Sequence, residues 1–390
     1  MKNTLAFIFL ASFIGLSCSS TSKNIFSKKT PHEKYAEKLD DIGLQETPAG
    51  RQWLAASKLA LENTQEIQLP YKQNGIFGND KARALGLRFI AKKGEQLNIT
   101  ITKKNGVPFV LYADVFVQNG SDHSLIHAAD TAASTFSVDT DEPGPYILRL
   151  QPELFRGGEY SLSITVGPSL QFPVSGSRAK TGSFWGASRD GGKRNHEGVD
   201  IFAPKYTPVV AGADGIVTGV KDGGIGGKVV WLRAKDRNIT LYYAHLDKQL
   251  VQDGDEVKRG HTLGLVGNTG NAKYTPSHLH FGIYTASGPV DPYPFVNPSV
   301  KTASPAPAKD LQKYLRLIKA GKLPLNNSVA KANTLLVPIA VNAKGYITEV
   351  PDGSFLQVPF SWVQTTNQGI MSAEVWVGKS VKDSRGKRIM

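Results

Sequence analysis

The chain has 390 residues, 40% of them hydrophobic, with 46 Lys and Arg against 33 Asp and Glu. That apolar content excludes a disordered chain, and a single cysteine excludes a disulfide within it. The formal net charge of +13 favours an anionic partner, but the basic residues are scattered and carry no nucleic-acid motif, so no nucleic acid is expected.

The chain opens on Met1-Lys-Asn-Thr, then an apolar run from Leu5 to Leu16, then Ser17-Cys18-Ser19-Ser20. A run this short does not span a bilayer, which needs about 20 residues. Residues 1–17 read as a secretory signal. Cys18, just past the apolar core, resembles the lipobox cysteine of bacterial lipoproteins, although Gly15 stands where Leu is commoner. The resemblance implies lipidation at Cys18 and attachment to a membrane through that lipid. It implies a place in the bacterial cell envelope, at the outer membrane or the periplasmic face. The competing reading is an ordinary cleaved signal with an incidental cysteine. Residues 18–44, rich in Ser, Thr and Lys, read as a tether.

Residues 45–170 read as a β-sandwich domain that opens on a helix from Gly50 to about Asn63, with the β pattern from Gly86 to Val166. Leu97, Ile99 and Ile101 alternate with Asn98, Thr100 and Thr102, and Tyr160, Leu162 and Ile164 alternate with Ser161 and Ser163. Turn signals such as Asn119-Gly120 separate the runs, as in an antiparallel sandwich. His123 and His127 lie here with no third ligand nearby and read as surface residues.

The next segment carries the chemistry. His196-Glu-Gly-Val-Asp200, Tyr243-Ala-His245-Leu and Ser277-His278-Leu-His280-Phe hold four of the eight histidines. Imidazole nitrogen and carboxylate oxygen are ligands of zinc, and a hydrolytic zinc keeps three protein ligands. Residues two apart in a strand share a face, so His278 and His280 point together and Leu279 points to the opposite layer. His196 and Asp200 share a face if their stretch is extended. A His-Glu-x-x-His helix is excluded, because Asp200 stands at the second His position and Gly198 disfavours helix. Glu197 then points away from the metal.

These motifs resemble the lysostaphin-type (LytM-like) zinc endopeptidases of peptidoglycan. Phe202-Ala-Pro-Lys-Tyr-Thr-Pro208, Ala213-Asp-Gly-Ile-Val217 and Val257-Lys-Arg-Gly260 through Gly270 resemble the family's flanking segments. The resemblance implies a LytM-type antiparallel β-sheet catalytic domain over residues 175–300. It implies zinc ligands at His196, Asp200 and His280, and catalytic, non-ligand roles for His245 and His278. Spacing alone does not say which histidine of the last pair binds metal. His261 replaces a polar residue usual in the family and reads as a turn residue.

Residues 301–309 read as a Pro/Ala linker. In 310–390, Asp310 reads as the cap of a short helix through Leu311, Tyr314, Leu315 and Ile318, ended by Gly321. Strand-like runs follow, among them Leu335 to Val341 and Glu374-Val-Trp-Val, and suggest a small SH3-like β-barrel. The expected protein is therefore predominantly β, in three modules. Its expected activity is hydrolysis of peptide cross-links of bacterial peptidoglycan by zinc-activated water, with the stem peptides as partner. The alternative is a non-catalytic envelope lipoprotein that binds cell wall or activates other hydrolases. Retention of all five motif residues favours the enzyme.

Overall fold

The computed structural model describes residues 28–366 apart from 105, 107, 177, 323–328 and 350–354. Cys18, the signal segment and the expected strand at Glu374 lie outside the described residues. The protein is predominantly β.

Two helices precede the first sheet. One spans Pro31–Asp41, inside the stretch expected to be a tether. Thr30 accepts a hydrogen bond from the Glu33 amide at 3.1 Å, and the Glu33 carboxylate accepts one from the Thr30 amide at 2.8 Å. This reciprocal capping box satisfies two N-terminal donors. Its signature, Thr-x-x-Glu, stands in a stretch whose Ser/Thr/Lys-rich composition suggests a tether. The second helix spans Pro48–Glu62. Trp53 is fully buried. Its ring nitrogen donates to the Pro152 carbonyl at 2.8 Å, and the His32 ring stacks on it at 4.7 Å. The helices are thereby fixed to the strand Gly144–Pro152.

The sandwich has two sheets. One is ordered Gln65–Glu66, Leu85–Ala91, Gly144–Pro152, Leu111–Asn119, Asp122–Ala128. The other contains Tyr71–Phe77, Gly158–Pro168, Glu95–Lys103 and Thr135–Asp139 as neighbours in that order. Alternating residues such as Leu97, Ile99, Leu162 and Ile164 fill the core between them. Gly75 makes room for a ring: a Cβ there would stand 2.4 Å from Tyr160.

The C-terminal strands form no separate closed barrel among the described residues. Leu335–Asn342 pairs antiparallel with Tyr71–Phe77 and so extends the second sheet. Ile339, Ala340 and Ile347 belong to the same core as Leu97 and Leu162. A buried polar chain sews the join. Asn342 Nδ2 donates to Tyr71 Oη at 3.2 Å, Tyr71 donates to Gln73 Oε1 at 2.7 Å, and Gln73 Nε2 donates to Tyr160 Oη at 2.9 Å. The helix expected after Asp310 is also corrected. Tyr314–Leu317 is a strand, paired with Val363–Thr366 and Leu335–Asn342. Leu315 and Leu317, two apart, are both buried. Residues 311, 315 and 318 fit a helix equally well, and strand partners distant in sequence decide the matter.

The remaining module is built on one large antiparallel sheet, with a two-stranded ladder of Ser188–Arg189 and Arg194–Asn195 beside it in the chain. The central order of the large sheet is Lys180–Ser183, Val199–Phe202, His278–Thr285, Thr240–Gln249, Lys228–Ala234, Gly215–Lys221, Glu256–Val257. Thr262–Val266 pairs with the Thr240–Gln249 strand and with Pro208–Val210. Val199, Ile201, Leu241, Tyr243, Leu279 and Phe281 form its core. It meets the sandwich at Arg237, whose guanidinium reaches Asp141 at 2.6 Å and Ser169 at 2.8 Å. Phe295 packs there too, against Gly94, where a Cβ would stand 2.3 Å from its ring.

Candidate active site

The Val199–Phe202 and His278–Thr285 strands pair with Asp200 opposite His280 and Phe202 opposite His278. Register alone therefore brings two motifs 80 residues apart into contact. Leu279 points into the core, leaving His278 and His280 on the other face, as the alternation requires. His196 arrives differently. It precedes the strand, so shared-face spacing in an extended stretch is not what joins it to Asp200. The chain turns at Gly198 instead, and the His196 ring swings in over the strand.

Three donor atoms converge. His196 Nε2, His280 Nδ1 and Asp200 Oδ1 lie 3.0 Å from one another. Asp200 and His196 are buried, and His280 is largely so. Burial opposes ionisation of Asp200, yet the hydrogen bonds and charges of His196 and His280 hold its carboxyl well below the usual carboxylate range. Burial pushes the His280 ring down, against the pull of Asp200. The group is thus an anionic oxygen facing two imidazole nitrogens. A tetrahedral zinc with bonds of about 2.0–2.1 Å needs donors about 3.3 Å apart, so the set fits that ion with a small opening.

The outer contacts fix each ring. His196 Nδ1 donates to the Phe184 carbonyl at 3.0 Å, which directs the Nε2 lone pair inward. Arg189 donates to the second carboxylate oxygen of Asp200 at 2.7 Å. Glu197 is exposed, away from the group, as expected.

His245 and His278 stand beside the triad as a pair, with ring centroids 5.0 Å apart. His245 lies 5.9 Å from the His280 ring. His245 Nδ1 donates to the Thr269 carbonyl at 2.9 Å, and His278 Nδ1 donates to the Pro276 carbonyl at 2.8 Å. Among the described residues no hydrogen bond engages Nε2 of either ring. Burial, with His278 and His280 nearby, pushes His245 down to about 4, so it is neutral at pH 7. His245 also occupies the left-handed backbone region, φ 63°. Ala244 and His245 together oppose the single Val229 across the ladder, which is a β-bulge. Such strain is typical of functional positions and re-aims the side chain. Tyr243, in the same motif, points the other way, fully buried, and accepts the Gly212 amide at 2.9 Å.

The other histidines stay apart. His261 is an exposed turn residue. His123 and His127 are half-buried on the edge strand Asp122–Ala128, and His127 stacks on Phe136 at 5.0 Å. The sequence did not point to the carbonyls of Phe184, Thr269 and Pro276, since every residue has one. Nor did it point to Arg189, which lies outside any spacing motif.

Residues 194–292 match the model of Peptidase family M23. The chain is 30% identical over 141 residues to the peptidoglycan DD-endopeptidase ShyA of Vibrio cholerae, covering 36% of this chain and 30% of that one. It is 38% identical over 125 residues to an L-Ala–D-Glu endopeptidase of Bacillus subtilis, covering 29% of this chain and 38% of that one. The chain therefore spans about a third of the length of these curated relatives. The catalytic domain of lysostaphin from Staphylococcus simulans is 34% identical, with 30% of this chain and 92% of that chain covered and a TM-score of 0.28.

Proposed function

We propose that this protein is a zinc endopeptidase that hydrolyses peptide bonds in the stem peptides and cross-links of bacterial peptidoglycan. The observation that carries the reading is the convergence of His196 Nε2, Asp200 Oδ1 and His280 Nδ1 at 3.0 Å beside two further imidazoles. The M23 match and the names of the two relatives support the substrate class. Those names refer to different peptide bonds, so the shared chemistry is a peptide of the wall.

His196, Asp200 and His280 would hold the zinc, with one negative charge among them. When bound, zinc supplies Lewis acidity that polarises a carbonyl and brings the pKa of water toward neutrality. The remaining work falls to the chain. Each of His245 and His278 has its Nδ1 proton committed to a backbone carbonyl, so its basic position is Nε2. One ring accepts the proton of attacking water at Nε2; the Nε2–H so formed then protonates the leaving amine. An imidazole N–H of the partner ring donates to the developing oxyanion. Phe184, Ile225 and Tyr274 are exposed on the loops whose backbones support these histidines, and offer apolar surface to the peptide. The lipid anchor at Cys18 would hold the enzyme in the envelope beside that polymer.

Mass spectrometry of purified wall fragments after incubation with zinc-loaded protein tests the proposal. Cleaved stem peptides are expected, and about 100-fold fewer from a His245→Ala protein. Intact fragments with the wild type would overturn it.

A further inference from the structure

The three donors of the metal group are not held alike. His196 is fixed by the Phe184 carbonyl. Asp200 presents only Oδ1 to the two imidazoles, at 3.0 Å from each donor nitrogen. Its other oxygen, Oδ2, accepts from Arg189 Nη2 at 2.7 Å. That same guanidinium nitrogen donates to Ser183 Oγ at 2.7 Å. Ser183 Oγ in turn lies 3.4 Å from His196 Nδ1. One side chain thus touches one ligand directly and another through a hydroxyl. Arg189 comes from the two-residue strand Ser188–Arg189, outside the histidine motifs, and is two-thirds covered, with 32% of its side chain exposed.

We propose that Arg189 is a positioning residue of the metal centre, restraining Asp200 to bind through Oδ1 alone and keeping His196 in register through Ser183. The inference rests on the zinc reading above. A carboxylate without such a partner turns about its terminal torsion, which is broad, and can offer one oxygen or both. Two oxygens on the metal would occupy the position that a hydrolytic site keeps open. Arginine suits the task because its charge is permanent and its nitrogens form a rigid fork. Nη2 has two hydrogens, enough for Asp200 and Ser183 together. The contact also places a cation beside the carboxylate of the group.

The test measures zinc affinity of the full chain by competition with a chromophoric chelator, and the visible spectrum of the cobalt-loaded protein, which reads coordination number. Arg189→Ala should bind zinc roughly 10–100-fold more weakly, the usual cost of losing an outer partner of a ligand, and should show an altered cobalt spectrum. Arg189→Lys should recover part of the affinity. Circular dichroism of the metal-free proteins separates this from general unfolding. If Arg189→Ala does not fold, Arg189→Lys and Arg189→Gln carry the comparison. Affinity and spectrum equal to the wild type in the folded variants would overturn the role of Arg189 while leaving the metal site standing. Failure of the wild type to bind zinc would instead remove the reading beneath it.

Discussion

A Cβ on Gly198 would stand 2.7 Å from Cε1 and 2.8 Å from Nε2 of His280, and 2.6 Å from the Phe281 carbonyl oxygen. The missing side chain at Gly198 is what lets the His280 ring lie over the backbone and turn Nδ1 toward Asp200. Gly198→Ala should therefore push His280 off its position and weaken zinc binding by roughly 10–100-fold, the scale of disturbed support of a ligand. Isothermal titration of the metal-free protein with zinc checks this. Unchanged affinity would mean that the ring can shift without losing its aim.

Ligands and proton-transfer groups should separate by substitution. His280→Ala should lose the zinc, about one per chain in the wild type as expected for a three-ligand site. His245→Ala and His278→Ala should keep it and lower turnover about 100-fold or more. Metal analysis paired with rate measurement distinguishes the two classes. A His278→Ala protein that arrives without zinc would place that residue among the ligands.

The helical cap should be sensitive to acid. Burial lowers the pKa of His32, with Arg149 adding to it, against the pull of its hydrogen bond to Gln151 and of Asp114 and Glu33. The folded pKa thus lies below an unfolded value of about 6.5. The unfolded chain binds the proton more readily, so the contribution of the neutral ring is complete above about pH 6.5 and is lost as pH falls toward the folded pKa. Melting curves at neutral pH and near pH 5 should show a larger fall for the wild type than for His32→Gln. Equal falls would assign the acid sensitivity to other groups.

The shared core predicts that the C-terminal strands and the sandwich unfold together. Ile347 is fully buried in the same cluster as Leu97 and Ile164. Ile347→Ala should cost about 2–5 kcal/mol and should speed hydrogen exchange of the Tyr71–Phe77 amides. Protection of those amides unchanged, with exchange faster only beyond residue 335, would indicate independent units.

At the N-terminus, Cys18→Ser should release the protein into the soluble envelope fraction with its wall-cutting activity intact, because buried acyl chains at about 0.8 kcal/mol per CH₂ are the proposed anchor. Fractionation followed by immunoblotting reads the result. A Ser variant still at the membrane would make the apolar segment from Leu5 to Leu16 the tether.

Local chemistry was legible in the chain. The residue types of the metal group, the period-two alternation of Leu97 to Ile101 and Tyr160 to Ile164, and the shared face of His278 and His280 follow from covalent order and strand geometry. The capping box at Thr30 was masked by the Ser/Thr/Lys-rich composition around it. What depended on distant partners was not legible. Tyr314–Leu317 became a strand because Val363–Thr366 and Leu335–Asn342 supply its hydrogen bonds. The C-terminal strands joined the sandwich because Tyr71–Phe77 offered an edge to pair with. His196 met Asp200 through a bend at Gly198, and His245 was aimed by a bulge opposite Val229. Residue identity sets which atoms can bind a metal or carry a proton. The positions of those atoms come from strand register and backbone strain, which depend on contacts between residues far apart in the chain.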